Sequence, residues 1–509
     1  MHRLREDDRR RPRGRPDVAV ARDPRVGSAA AEVRRMAEDL LEREPAVATD
    51  VLEKARVAPV EVLRRSDEDL RLPAVAPPTT LPLEPPLVPQ VGEQTRAVGL
   101  RAQRPDSRNH GLGLTRYIDD IALPGMLYAK IKRAGLSSAR IKRIDVSKAE
   151  AMPGVKAVLL GREIPLNLFG TSIVDQPLLV DEIVRHAGDG VAAVAAVTEQ
   201  IAQAAIDAIE VEYEPLPGVY DPIEALSPDA PKVHGGDTNI YFKKLIRRGD
   251  VEKGFAQSYR VYENRYTTPG IEHAPMEPFT SIADWDANGR LTVYATIGRI
   301  TLARVDLAKT LRIPISRIRV IGTVVGGNFG GKNEIRHEPV LALLSKKAGR
   351  PVKGRFTRVE EFVASTIRHP MIMDYKTGVT KEGKIIARQI RMVLDGGAYC
   401  SFSETTLGKA SILAPGPYQI ENIHVEGCVV YTNKTTSGSM RGFGAPQVCF
   451  AYESQMDEIA RDLGIDPIEI RLKNFFREGS MSATGQVLHS VKVIESLNNA
   501  ARKFGWEAR

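Results

Sequence analysis

Four glycines in seven positions, residues 326–332 (Gly-Gly-Asn-Phe-Gly-Gly-Lys), constrain this chain more than any other stretch. Glycine enters backbone conformations that other residues avoid, and it lets N–H groups approach an anion closely. A β-branched run at residues 317–325 precedes the loop and reads as strand. Residues 338–345 follow with the apolar spacing of a helix. Strand, glycine turn and helix suit an anion site, and equally a plain tight turn. A nucleotide P-loop shares the spacing: Gly326, four residues, then Gly331 and Lys332 fit G-x-x-x-x-G-K. The Ser or Thr that should follow and hold Mg²⁺ is here Asn333, so the match lacks its metal-binding hydroxyl.

Composition narrows the classes. A chain of 509 residues has room for roughly two to four domains. It has no apolar run of membrane-spanning length, and its start is charged, so neither a membrane nor a signal peptide is expected. Cytoplasm is the default. Cys400, Cys428 and Cys449 lie too far apart for C-x-x-C, so this chain is not expected to hold an iron–sulfur cluster, a structural zinc or a disulfide framework. The net charge of +8 is spread along the chain, and no nucleic-acid partner is expected.

Residues 1–95 read as an Arg- and Pro-rich, partly disordered extension, with short helical candidates at 29–44 and 50–65. It is a solvated tail or a partner-docking segment. Compact texture begins near residue 104. Strands are expected at 126–132, 139–145, 155–160, 191–197 and 209–213. Helices are expected at 147–151, capped by Ser147, and at 199–209, capped by Thr198. This alternation describes an α/β or α+β domain at 104–225. A second region, 245–509, opens with a helical stretch after Asp250. Its strands are expected at 259–266, 291–296 and 385–395, and its helices at 303–311 and 448–463. His273 and Glu277 are four apart, but Pro275 between them opposes a helix. An ordered loop with buried hydrogen bonds is expected there in place of metal ligation. A second glycine loop, 437–447 (Ser-Gly-Ser-Met-Arg-Gly-Phe-Gly-Ala-Pro-Gln), feeds the helix at 448. Arg441 among its glycines suits an anion site, combining a guanidinium with amide donors, and equally suits a surface charge.

Five stretches carry a resemblance: 116–129, 152–158, 273–278, the loop at 326 and 440–447. Together they resemble the molybdenum-binding large subunit of the xanthine dehydrogenase/aldehyde oxidase family of molybdopterin hydroxylases, over about residues 100–509 and the first half only. The resemblance implies an α+β chain, with an α/β hammerhead domain at 104–225 and the first half of a molybdopterin-binding region at 245–509. It implies a molybdenum held by a pterin dithiolene, with no protein side chain as metal ligand. Gly327, Phe329, Gly330, Gly331, Gly442 and Phe443 would hold the cofactor. Arg441 would be the catalytic cation facing the substrate, and Asn333 would line the substrate pocket. The implied reaction is hydroxylation of an electron-poor carbon with water as oxygen donor. Electrons would leave through iron–sulfur clusters and FAD on partner chains.

The departures from the family pattern bear on substrate and completeness. Where members often carry Gln near the metal, this chain offers the stretch 295–299, with Gly298 lacking a side-chain amide. Purine-oxidising members carry Glu after Gly-Gly-Lys; Asn333 stands here, which argues against a xanthine-type site. The family's general base is a Glu in a G-x-G-E stretch of a second cofactor-binding half, and that motif is missing. A second polypeptide would supply it, alongside an iron–sulfur subunit and a flavin subunit; otherwise the chain is an inactive fragment or scaffold.

Overall fold

The computed structural model describes residues 104–506. The extension expected at 1–95 lies outside them. A seven-stranded sheet runs in the order Ile318–Gly322, Leu291–Ala295, Thr280–Trp285, Val352–Arg355, Leu127–Arg133, Gly190–Ala196, Val155–Leu160. Strands from both halves of the sequence thus share one sheet, joined where Leu127–Arg133 pairs parallel with Val352–Arg355. Gly190–Ala196 is buried along its whole length, as its unbroken small apolar run requires of a strand covered on both faces. Ala193 and Ala195 pack with Leu341 and Leu344 of the helix Glu338–Ala348. Ala192 and Val194, pointing the other way, pack with Ala205 and Ile206 of the helix Glu199–Ala208.

A smaller antiparallel sheet orders Ile183–Val184, Ala139–Asp145 and Glu210–Pro215. The third layer is a five-stranded sheet: Ile240–Arg248, Asn422–Tyr431, Ile385–Gly397, Met371–Val379, Arg260–Thr268. Met371, Met373 and Tyr375 alternate inward from it, beside Ile390, Met392 and Leu394 of the next strand. They meet Leu407 and Ala410 of the helix Ser403–Leu413, and Val448, Ala451 and Met456 of the helix Ala445–Leu463. The architecture is α+β, as expected.

Local chemistry explains the boundaries. Thr198 caps its helix by accepting from the Ile201 N–H at 3.2 Å, as expected. Ser147 does not cap. Its own N–H donates to Asp145 Oδ1 at 3.0 Å, and the helix Ser147–Glu150 has no side-chain cap. The carboxylate two residues earlier outcompetes the hydroxyl by turning the chain before the helix begins. Asp250 caps Val251–Ala256 through the Lys253 N–H at 3.0 Å.

Candidate cofactor site

The strand Ile318–Gly322 delivers the first glycine loop. Gly327 has φ +108° and Gly330 +106°, values an L side chain rarely adopts. Phe329 is itself left-handed at +50°. A Cβ at Gly330 would lie 2.5 Å from the carbonyl oxygen of Ser439, so glycine there lets the two loops touch. The Arg441 N–H donates to Phe329 O at 2.8 Å and fastens them. His273 is wedged behind the contact, with its ring nitrogens 3.0 Å from Thr366 O and 2.8 Å from Ser439 O. Burial pulls the His273 pKa down, against the two carbonyl acceptors that favour the cation. The expected ordered loop with buried hydrogen bonds is what this segment forms. Among the described residues no cluster of metal-ligating side chains exists.

The P-loop reading fails here. Lys332 is fully buried and donates to the backbone oxygen of Glu277 at 2.6 Å, with the Glu277 carboxylate 3.5 Å away. Glu277 Oε2 in turn accepts the Gly326 N–H at 2.7 Å, so the lysine braces the loop from below instead of reaching toward a ligand. Burial lowers the Lys332 pKa, offset by Glu277 and then Glu361. No regular helix starts at the glycines. A short 3₁₀ turn, Gly331–Asn333, intervenes before the helix that begins at Glu338.

The upper surface of the loops is different. Among the described residues no protein acceptor takes the N–H groups of Gly327, Asn328, Phe329 or Gly442. Three successive free N–H groups in a strained turn form a nest for an anion. Among the described residues the exposed Arg441 guanidinium has no ion pair or hydrogen bond, while its backbone oxygen is held by Arg368 Nη2 at 3.0 Å. Phe329 is 47% exposed beside it. Gly331 and Phe443 sit at the base: the Gly331 N–H donates to Asn328 O at 2.9 Å, and Phe443 lies under Lys409 at 4.4 Å. Asn333 is half-buried, its Oδ1 3.0 Å from where a Cβ at Gly298 would be. Such a Cβ would lie 2.4 Å from Asn328 Nδ2, so a side chain at 298 would require Asn328 to move. Sequence reading singled out Glu277 only through its spacing from His273, not as the partner of Lys332, and it missed Glu361 and Arg368.

An anionic, phosphate-bearing cofactor with no side-chain metal ligand fits this donor set. The loops of this α+β protein suit an anionic cofactor, and comparison with known proteins identifies the family. Residues 233–475 match the family profile described as the molybdopterin cofactor-binding domain. Residues 112–217 match the aldehyde oxidase and xanthine dehydrogenase a/b hammerhead domain. The chain is 40% identical over 415 residues to the nicotinate dehydrogenase large molybdopterin subunit of Eubacterium barkeri, covering 81% of this chain and 97% of that one. It is 39% identical to a probable xanthine dehydrogenase subunit of Bacillus subtilis, covering 80% of this chain and 56% of that one. The solved aldehyde oxidoreductase of Desulfovibrio gigas superimposes with a TM-score of 0.76 at 29% identity, over 79% of this chain and 46% of that one. The chain belongs to the xanthine dehydrogenase/aldehyde oxidase family of molybdopterin-dependent oxidoreductases. It spans nearly all of the Eubacterium protein and about half the length of the other two.

Proposed function

We propose that the chain is the cofactor-binding subunit of a molybdenum hydroxylase that oxidises an electron-poor carbon, in a heteroaromatic, aldehyde or related substrate, with water as oxygen donor. The observation that carries this reading is the pair of touching glycine loops whose N–H groups, like the Arg441 guanidinium, have no partner among the described residues. When bound, the molybdopterin supplies the redox centre. The N–H groups of Gly327, Asn328 and Phe329, with Gly330, Gly331, Gly442 and Phe443 shaping the floor, hold its anionic part. Arg441 holds negative charge that develops on the substrate, and a fixed cation does this best away from water. Asn333 borders the substrate side in this reading. Asn in place of the Glu of purine-oxidising members argues against a xanthine-type site and leaves other heteroaromatics, aldehydes or acyl-CoA thioesters open. The name of the Eubacterium relative, a nicotinate dehydrogenase subunit, points the same way.

Arg441 and Phe329 lie open at the surface, so the site needs a cover. In this reading a second polypeptide with the other cofactor-binding half and a carboxylate base supplies it. Iron–sulfur and flavin chains complete a cytoplasmic complex. Among the described residues no helix is long and apolar enough to cross a membrane. The hammerhead domain at 104–225 and the cofactor-binding half at 245–509 are the working units. Metal and pterin analysis of the complex purified from its native cells tests the proposal. Stoichiometric molybdenum with a second-half chain is expected. Neither metal nor such a chain would leave a scaffold with this fold.

A further inference from the structure

The surface beside the first glycine loop is unusually apolar. Met276 is 92% exposed, Val359 71%, Phe362 51% and Ile271 45%. They lie together because the helix Arg358–Ala364 is clamped along the 271–276 loop. Arg358 donates to the backbone oxygen of Pro275, and Ser365 Oγ donates to Glu272 at 3.2 Å. Val359 and Phe362, three apart, share the outer helix face, while Glu361 is fully buried on the inner one. Phe329 continues the patch: a Cβ at Gly327 would lie 3.1 Å from both its ring and Pro275. Isolated exposed apolar residues are ordinary, but a contiguous group marks an interaction site.

Resting on the functional reading above, we propose that this patch is the docking surface for the polypeptide carrying the second cofactor-binding half. Continuity picks the occupant. Met276 adjoins Glu277, whose carboxylate takes the Gly326 N–H, so the patch is the outer wall of the loop that holds the cofactor. A chain that closes over these loops and keeps water from Arg441 must cross this rim. A chain that only passes electrons need not cover it. Met, Phe and β-branched side chains here, with Arg358 and Glu272 at the edge, match the apolar core and polar rim of a stable interface.

The test uses the complete complex, with a photo-crosslinking amino acid at Met276 and, as control, at Tyr259. Tyr259 precedes the strand Arg260–Thr268, whose far end, roughly 30 Å on at ~3.4 Å per residue, leads into the 271–276 loop. Expected is a Met276 crosslink to the second-half chain and none from Tyr259. The double variant M276E/F362E should lower recovery of that chain about tenfold or more, with Y259E unchanged. Crosslinks from Met276 only to the iron–sulfur chain or to a second copy, or none at all, in a complex that contains molybdenum and the second-half chain, overturn this proposal alone. A complex with neither overturns the functional reading instead.

Discussion

Lys332 and Arg441 both stand among glycines just before a helix, yet Lys332 is fully buried and Arg441 is exposed. Lys332 is tied to Glu277 and lies in the field of Glu361. Among the described residues Arg441 has only its backbone engaged. One texture therefore serves two purposes. The buried cation shapes its loop from below, and the exposed one remains available to a ligand above. Position relative to carboxylates, which composition does not encode, separates them. A buried lysine that had lost those carboxylates would be a large liability, whereas an unpaired surface arginine costs little until a partner covers it.

The largest effect should come from breaking the buried side. Lys332→Met leaves Glu277 and Glu361 without their cation and should cost about 3–5 kcal/mol, read as a lower urea midpoint with loss of bound molybdenum. An unchanged midpoint would mean that Lys332 is not a brace. The exposed side should behave in reverse. Arg441→Gln should lower kcat by about 10²–10³ while the urea midpoint and molybdenum content stay at parent levels. Loss of metal in that variant would recast Arg441 as part of the cofactor grip. The junction between the loops should be intermediate. Gly330→Ala places a Cβ against Ser439 O at a φ of +106° and should cost about 2–4 kcal/mol by thermal or chemical melting.

How much of this is readable in the sequence depends on the range of the interactions. The strand at 139–145 and the cap at Thr198 are local, and both stand where residue patterns put them. Met371–Val379 is a strand whose polar positions, Asp374 and Lys376, pair with Arg265 and Glu263 on the neighbouring strand. That partner lies more than a hundred residues back, and no local window reveals it. The strands Thr280–Trp285 and Asn422–Tyr431 escape a local reading as well. At the site, the glycines and Arg441 announce themselves because turn geometry and anion binding leave a short-range signature. The burial of Glu361 and the pairing of Glu277 with Lys332 do not, because a carboxylate is ordinarily solvated, and only the finished packing sets its partner. The P-loop reading fails for the same reason: spacing is satisfied, but the direction in which Lys332 points is set by Glu277.

The smallest effect tests whether the buried cation is balanced by more than one carboxylate. Burial pushes Glu361 up from the usual 4.5 to about 7, while the Phe279 N–H and Lys332 pull the other way. A carboxyl raised in the folded state binds its proton more tightly there than when unfolded. Its contribution is therefore fully present below pH 4.5 and is lost as the pH climbs through about 7. Glu361→Gln keeps an acceptor for Phe279 and removes the titration. Between pH 4.5 and 8 the stability of the variant relative to the parent should rise by about 1–3 kcal/mol, measured by urea unfolding at each pH. A flat difference would mean that Glu361 stays ionised beside Lys332 throughout. The lysine would then be held by two charged carboxylates, and the contrast with the solitary Arg441 would be sharper still.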